Sequence, residues 1–556
     1  MFSLIIVLGN GRLTGETRSN THSVAISDAD SILTEQVYLA QLQAAEAATF
    51  ERDFESYFLL LLEPEHKSAY DSLQSLDEKK AFIEHYWKAA NPNPLLPEND
   101  WLLEFNRRVR YARKHFRRVS PPFVDDRGLY YIKFGKPKIR YEDMGRPGIA
   151  AYEVWSYESV QRNFVLYFVK EGVGYREIED LTDIVVQGKP KYEAGKLWLW
   201  SSLVKKVRHV SPVLGEAAAK IEFLEEAIAY AKTHPNARSV FAEELNAPHG
   251  IIATIDTDVK VEKHKARIAA PSSARDPLVA KNELEFFDQI AQFRGPRGKT
   301  RIEVVLLAPL KKNLVKKVKK SSKESVFVEF SGMLRDANFE PLIENHTSSS
   351  FPVGLAARQK LSNAVGKLAL LAAPEEAELT LQVEETQREK IGFYREPIRI
   401  RNFSSRRELL LSDIQLNYRV KNKAQRRILP TVQFQNLWIT AYPFHEMSKK
   451  SPPLVYFEIY NIRSVGIHDV VRISYTIAPI KGDGESLPLS DRPLVLGEAS
   501  VSVSYARPVT ADTMDELVEI DLKNVKKGWN LLEVSVSSLQ DSSLKAVVQK
   551  KLFVKK

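Results

Sequence analysis

The chain has 556 residues, 44% of them hydrophobic and 10% aromatic, a globular composition long enough for about three or four domains. Lysine and arginine outnumber aspartate and glutamate by 80 to 71, and the resulting +9 suits anionic surfaces without by itself implying nucleic acid. There is no cysteine, which excludes disulfide frameworks, thiolate zinc sites, cysteine nucleophiles and a lipid-modified N-terminal cysteine.

Met1–Gly9 is an apolar run too short to span a bilayer, which takes about 20 residues, and reads either as the tail of a secretion signal or as a stray apolar terminus. No other run approaches that length, so the mature chain is expected to be soluble or peripheral. Residues 10–30 are polar and expected to be disordered or loosely docked. Helix formers run from Ile32 to about Leu62 and stop at Pro64. A further helix is predicted over Leu76–Ala90, pairing Phe82 with Tyr86 and Ile83 with Trp87 at spacing four. Asn91-Pro92-Asn93-Pro94 ends it, because proline lacks the amide and restricts its predecessor.

Pro97-Glu98-Asn99-Asp100 opens the next helix, whose apolar stripe is Trp101, Phe105, Val109, Ala112 and Phe116. Its other side carries Arg107, Arg108, Arg110, Arg113, Lys114, Arg117 and Arg118, with Glu104 the nearby acid. The expectation is a solvated face paired with carboxylates of its own domain, Asp125, Asp126 and Glu153 among them; a partner-binding face is the alternative. After a Pro/Asp/Gly loop at Pro121–Gly128, strands are predicted at Leu129–Phe134, Ala151–Tyr157 and Phe164–Val169. Together these describe an α+β domain with helices on one face of a small antiparallel sheet.

Phe82-Ile83-Glu84-His85-Tyr86-Trp87, Asn91-Pro92-Asn93-Pro94, Pro97-Glu98-Asn99, Arg107-Arg108-Val109-Arg110-Tyr111-Ala112 and His115-Phe116 follow one another in a consistent order. Asp126-Arg127-Gly128, Tyr131-Ile132-Lys133-Phe134-Gly135-Lys136-Pro137 and Tyr152-Glu153-Val154-Trp155-Ser156-Tyr157 continue it. Over roughly a hundred residues this stretch resembles the bacterial GWxTD domain family. Where the family's Gly-Trp-x-Thr-Asp falls, this chain reads Pro122-Phe123-Val124-Asp125-Asp126, so the aromatic class and the final Asp persist while Gly, Trp and Thr do not. The loop, with Phe123, Asp125, Asp126, Arg127 and Gly128, is read as a structural corner: Phe123 fills the pocket of the family's Trp, Pro122 presets the turn, and Asp126 caps amides or pairs with arginine.

Helical pattern returns from Leu197 to Pro235, with Ala217, Ile221, Leu224 and Ile228 on one face. Residues 251–296, a charged strand-like segment followed by Pro271–Arg275 and Leu284–Phe293, are read as a connector. From Gly295 the pattern is β-rich, with strands at Thr300–Leu307, Ser325–Leu334, Leu379–Val383 and Ile398–Ile400. Between the first two lie Lys311, Lys312, Lys316, Lys317, Lys319, Lys320 and Lys323, a lysine-rich tip that shields a sheet edge or, alternatively, binds an anionic polymer. Val455–Tyr460, Val471–Ile477, Ala499–Tyr505, Leu531–Val536 and Ala546–Val554 repeat the theme, with Gly528-Trp529 as a turn before a late strand. The expected fold is α+β followed by all-β, with two antiparallel Ig-like sandwiches that also resemble modules accompanying the GWxTD domain. The expected division is 1–30 as terminus, 31–185 as the α+β domain, 186–296 as connector, and 297–425 and 426–556 as sandwiches.

The chain contains no Gly-x-Ser-x-Gly elbow and no phosphate-binding glycine loop. His445-Glu446 has no second histidine at zinc-helix spacing; His249, His264 and His468 stand apart; Asp256-Thr257-Asp258 lacks the glycine and distal glutamate of a calcium loop; Gly482-Asp483-Gly484 reads as a turn. No catalytic, cofactor or metal residue is therefore assigned. A hydrolase using Asp125 or Asp126 is the enzyme alternative, predicting that Asp→Asn abolishes turnover while the fold survives. The sequons at Asn345 and Asn402 are read as incidental. The expected function is a non-enzymatic scaffold or protein-interaction component with protein partners in a larger assembly, exported to the periplasm, envelope or exterior. The alternative is binding of an anionic polymer, nucleic acid or acidic polysaccharide, through Arg107, Arg110, Arg113, Lys114 and Arg117 and through Lys316, Lys317, Lys319 and Lys320.

Overall fold

The computed structural model describes residues 34–185, 193–274, 284–309, 325–352, 363–385, 390–420, 426, 429–441, 443, 446–449, 452–480 and 501–555. Met1–Gly9, Arg275, the lysine run with Lys316, Lys317, Lys319 and Lys320, His445 and the Gly482-Asp483-Gly484 turn lie outside the described residues.

The N-terminal part begins with α1 (Glu35–Ala44), α2 (Ala47–Phe50), a π-turn at Glu51–Glu55, α3 (Ser56–Phe58) and α4 (Pro64–Asp71). The long helix expected before Pro64 is thus broken at Ala45, where ψ is 130°, and Pro64 opens α4 at a position that needs no amide. Helix α5 (Leu76–Ala90) starts at a Ser75/Glu78 capping box and buries Ile83 and Trp87. Asn99 accepts from the amides of Trp101 (3.1 Å) and Leu102 (3.2 Å) to start α6 (Asp100–His115), and its Nδ2 donates to the Trp87 carbonyl at 2.8 Å. One asparagine thereby caps one helix and ties it to the end of the other. Trp101, Phe105, Val109, Ala112 and Phe116 are all buried, as their spacing predicts.

Leu129–Phe134, expected as a strand, lies inside helix α7 (Asp126–Phe134). Asp125 caps the Gly128 amide, Gly128 and Ile132 face the core four residues apart, and Gly135 closes the helix at φ 75°. Cap and stop outweigh the strand preference of Tyr130, Tyr131, Ile132 and Phe134. A four-stranded antiparallel meander follows: β1 (Ile139–Asp143), β2 (Tyr152–Ser156), β3 (Val165–Glu171) and β4 (Gly174–Ile178).

Helices cover both faces of this sheet, not one. Trp155, Leu166 and Phe168 join Trp87, Phe105 and Phe116 in one core. Tyr152, Val154, Val165 and Tyr167 face a second core built by α8 (Glu193–Val207), α9 (Pro212–Thr233) and α11 (Pro248–Ala269), with α10 (Ala242–Asn246) alongside. A central strand covered on both sides explains why β2 is buried along its whole length. The strand-like charged segment after residue 250 is α11: its β-branched residues bury Ile252, Ile255 and Val259 at helical spacing. The intended connector therefore supplies a layer of the sheet's packing.

The β-rich half also starts earlier than expected, with β5 (Phe287–Arg294) pairing β6 (Thr300–Pro309). The first sandwich packs sheet β5-β6-β9 on sheet β11-β10-β7-β8, using β7 (Ser325–Arg335), β8 (Pro341–Pro352), β9 (Asn363–Ala372), β10 (Glu376–Glu385) and β11 (Lys390–Arg399). Its core is Val304, Leu306, Phe330, Leu368, Leu370, Leu379 and Leu381. In the second, one sheet orders β12 (Leu410–Leu411), β17 (Leu454–Tyr460), β13 (Gln415–Arg419), β15 (Leu437–Ala441) and β14 (Val432–Phe434), with β20 (Met514–Glu519) also on β17. The other orders β16 (Glu446–Ser448), β22 (Lys545–Lys555), β21 (Gly528–Ser538), β18 (Val470–Pro479) and β19 (Val501–Pro508). Phe457, Ile459, Ile473, Tyr475, Leu532 and Val534 fill the space between.

The parts are keyed together by buried and half-buried polar contacts. Arg395 donates to the carbonyls of Ala89 (3.1 Å) and Asn91 (2.6 Å), Arg335 donates to Lys88 O at 2.9 Å, and Asn93 Nδ2 donates to Gln382 Oε1 at 2.6 Å. Two arginines of the first sandwich thus neutralise the carbonyl end of α5. Between sandwiches, Gln289 exchanges two hydrogen bonds with the Leu416 backbone, at 3.0 and 2.7 Å.

Candidate functional site

The corner between α6 and α7 is a tight reversal. Arg118 N donates to Phe123 O at 3.0 Å, Phe123 N to Ser120 O at 2.8 Å and Asp125 N to Phe116 O at 2.8 Å, around a cis Pro121–Pro122 peptide. Phe123, expected to fill a core pocket, sits half-buried at φ 66°; its neighbour Val124, 1% exposed, enters the core instead. The reversal leaves one side chain facing inward at this point, and the register selects residue 124.

Asp125 follows, almost wholly buried. Its Oδ1 accepts from Gly128 N at 3.3 Å, and its Oδ2 accepts from Tyr175 N at 2.9 Å and from Arg127 Nη2 at 2.6 Å. Asp126 Oδ2 accepts from Glu177 N at 2.7 Å. The two adjacent acids therefore seize two alternate amides of β4, clipping the start of α7 to the edge of the sheet. Amide capping, expected of Asp126, is shared by both residues, and the arginine falls to Asp125.

Arg127 extends the cluster to Glu153, which no solvent reaches: Nη1 donates to Glu153 Oε1 at 2.6 Å. Glu153 also accepts from Arg140 Nε (2.8 Å) and Nη2 (2.9 Å) and from Trp155 Nε1 (2.6 Å). The Arg127 guanidinium lies 3.6 Å from the centroid of the Tyr175 ring and 5.0 Å from that of Phe116. Burial works against its charge, but the bonds to Asp125 and Glu153 outweigh that and hold its pKa above the usual value. Two carboxylates and two guanidiniums balance, with their oxygens engaged by fixed donors; chemically the arrangement is a joint.

The basic helix face differs from expectation in two ways. Arg108 turns inward, paired with Glu104 and donating to Lys133 O (3.1 Å) and Ala274 O (2.7 Å). Asp125, Asp126 and Glu153 serve Arg127, Arg140 and β4 rather than α6, because they sit behind the helix on its apolar side; Arg113 pairs instead with Asp53, at 2.9 Å. Arg107, Arg110, Lys114 and Arg117 remain on the exposed side.

Sequence reasoning missed Arg140 and Tyr175, which arrive from β1 and β4 through sheet pairing. One local signal was available: an acid within Tyr152-Glu153-Val154-Trp155 stands in a strand buried along its whole length, and a buried charge requires a partner. Elsewhere, a cavity of about 360 Å³ between the sandwiches is lined by Leu307, Val365, Asn417, Ala441 and Met447. Among the described residues no cluster of three or more His, Asp or Glu side chains is arranged to hold a metal, and no helix is long and apolar enough to cross a membrane. A scan of protein-family models finds no match to this chain, and a search of curated proteins finds none either.

Proposed function

We propose that this chain is a non-enzymatic, multi-domain scaffold, exported or envelope-associated, whose N-terminal part is a GWxTD-like domain and whose sandwiches receive protein partners. The observation that carries the reading is the fate of Asp125 and Asp126. Both carboxylates of the signature-like loop are engaged by β4 amides and Arg127, an arrangement suited to holding a corner rather than to moving protons. The arginine contacts that fasten α5 to the first sandwich, and the paired contacts between sandwiches, support a rigid platform. The sandwich edge at β19, largely exposed, offers a strand-addition surface to a partner. Export rests on the family resemblance and on Met1–Gly9.

The test is purification of the full chain from the envelope fraction of the cells that make it, with a high-salt wash. A discrete protein partner retained in fixed proportion is the expected result. Recovery of the chain alone at both low and high salt would sink the reading, and so would turnover that Asp126→Asn abolishes in a folded protein.

A further inference from the structure

Helix α6 has two opposed faces. The apolar stripe from Trp101 to Phe116 enters the core. On the opposite side Arg107, Tyr111 and Lys114 follow at i, i+4 and i+7, all exposed, spanning about 10 Å at 1.5 Å per residue. Arg110 and His115 flank them, and Arg117 and Arg118 continue the exposed basic surface past the helix end. Tyr111 stacks on Tyr131, with centroids 4.4 Å apart and 18° between planes, and its ring lies 4.2 Å from that of His115. Flat rings and cations therefore occupy one continuous surface.

The acids that would neutralise this surface are used elsewhere. Glu104 holds Arg108 inside, Asp53 holds Arg113, and Asp125, Asp126 and Glu153 hold Arg127, Arg140 and the β4 amides. Among the described residues, no ion pair forms at Arg107, Lys114, Arg117 or Arg118. Like charges so placed repel one another, and a polyanion relieves that repulsion while releasing its own counterions.

We infer that the exposed face of α6 binds single-stranded nucleic acid, with Arg107, Lys114 and Arg118 on phosphates and the end of the Tyr131–Tyr111–His115 ring stack against a base. This goes beyond the scaffold reading and does not rest on it. The rings decide between polyanions. An acidic protein surface uses the cations and leaves the rings idle, and a puckered acidic sugar presents C–H edges instead of a flat π face. Duplex bases are already stacked on one another. A single strand alone engages both charge and ring, by base–aromatic stacking and guanidinium contacts.

The experiment is fluorescence anisotropy of a labelled thymidine oligonucleotide titrated with the full chain across a salt series. Binding is expected to weaken steeply with salt, with a slope near −2 in log–log form for three phosphate contacts. The triple change Arg107→Gln, Lys114→Gln, Arg118→Gln should flatten that slope, since all three side chains are exposed and the fold is untouched. Tyr111→Leu should weaken binding about tenfold while keeping the slope. Because Tyr111 also packs on Tyr131, an abasic oligonucleotide makes the same comparison with the protein unaltered and should bind about as weakly. Equal affinity for the abasic strand, or for a heparin fragment or polyglutamate of the same charge, would overturn the inference in favour of another polyanion. No binding, or binding indifferent to the triple change, would overturn it outright.

Discussion

Glu153 meets no solvent, yet its carboxylate receives Arg127, Arg140 and the Trp155 indole. Removing one partner from a buried charge network costs far more than the network adds over an apolar core, because the remaining charges lose their compensation. Glu153→Gln keeps the size and one acceptor oxygen but leaves Arg127 with Asp125 as its remaining carboxylate and Arg140 with the exposed Glu142 alone. We expect a loss of about 3 kcal/mol in denaturant unfolding. Arg52→Gln removes an exposed pair with Asp53 and should change stability by less than about 0.5 kcal/mol, which makes it the control. A small effect of Glu153→Gln would mean that the joint is ornamental. In sequence, the charge of Glu153 was visible and its partners were not, because β1 and β4 reach it only through strand pairing.

At the scale of elements, α6 and α7 show where periodicity speaks and where it is silent. The spacing of Trp101, Phe105, Val109, Ala112 and Phe116 specifies a buried stripe in any helix, and all five are buried. The seven cations read from the same helix divide, because Arg108 lies beside the stripe and follows Glu104 inward. Leu129–Phe134 has strand-type residues, but Asp125 and Gly135 bracket it with a cap and a stop, and short-range hydrogen bonding decides. Gly128 belongs to that decision: a Cβ there would stand 2.6 Å from Val124 Cβ and 3.2 Å from Phe116 Cβ. Gly128→Ala should therefore lower stability by about 1–3 kcal/mol despite alanine's better helix propensity, as a thermal melt would register. A melt at or above the unaltered temperature would show that α7 can lift off α6.

For the whole molecule, the arginine contacts at the end of α5 set how the α+β part meets the first sandwich. Arg335 and Arg395 reach the carbonyls of Lys88, Ala89 and Asn91, and Glu378 pairs with Arg335. Changing both arginines to methionine preserves most of the bulk and removes these donors. Calorimetry is expected to show the helical part and the sandwiches melting together in the unaltered chain and apart in that double variant. One unbroken transition would show that apolar contacts suffice to couple them.

What the sequence determined by itself is what local periodicity and punctuation carry: the α5 and α6 starts, the buried stripe, the more regular sandwich strands such as β6, β7, β17, β18, β21 and β22, and the lack of thiol chemistry. Only the tertiary structure decided that the sheet of β1–β4 is covered on both faces, that Val124 rather than Phe123 turns inward, and that Asp125, Arg127, Arg140 and Glu153 form one joint. The reason is separation along the chain. Burial of a face and pairing of a charge depend on residues tens of positions away, brought near by strand registry and helix packing, whereas a cap, a proline stop or a four-residue repeat acts within a turn or two of backbone.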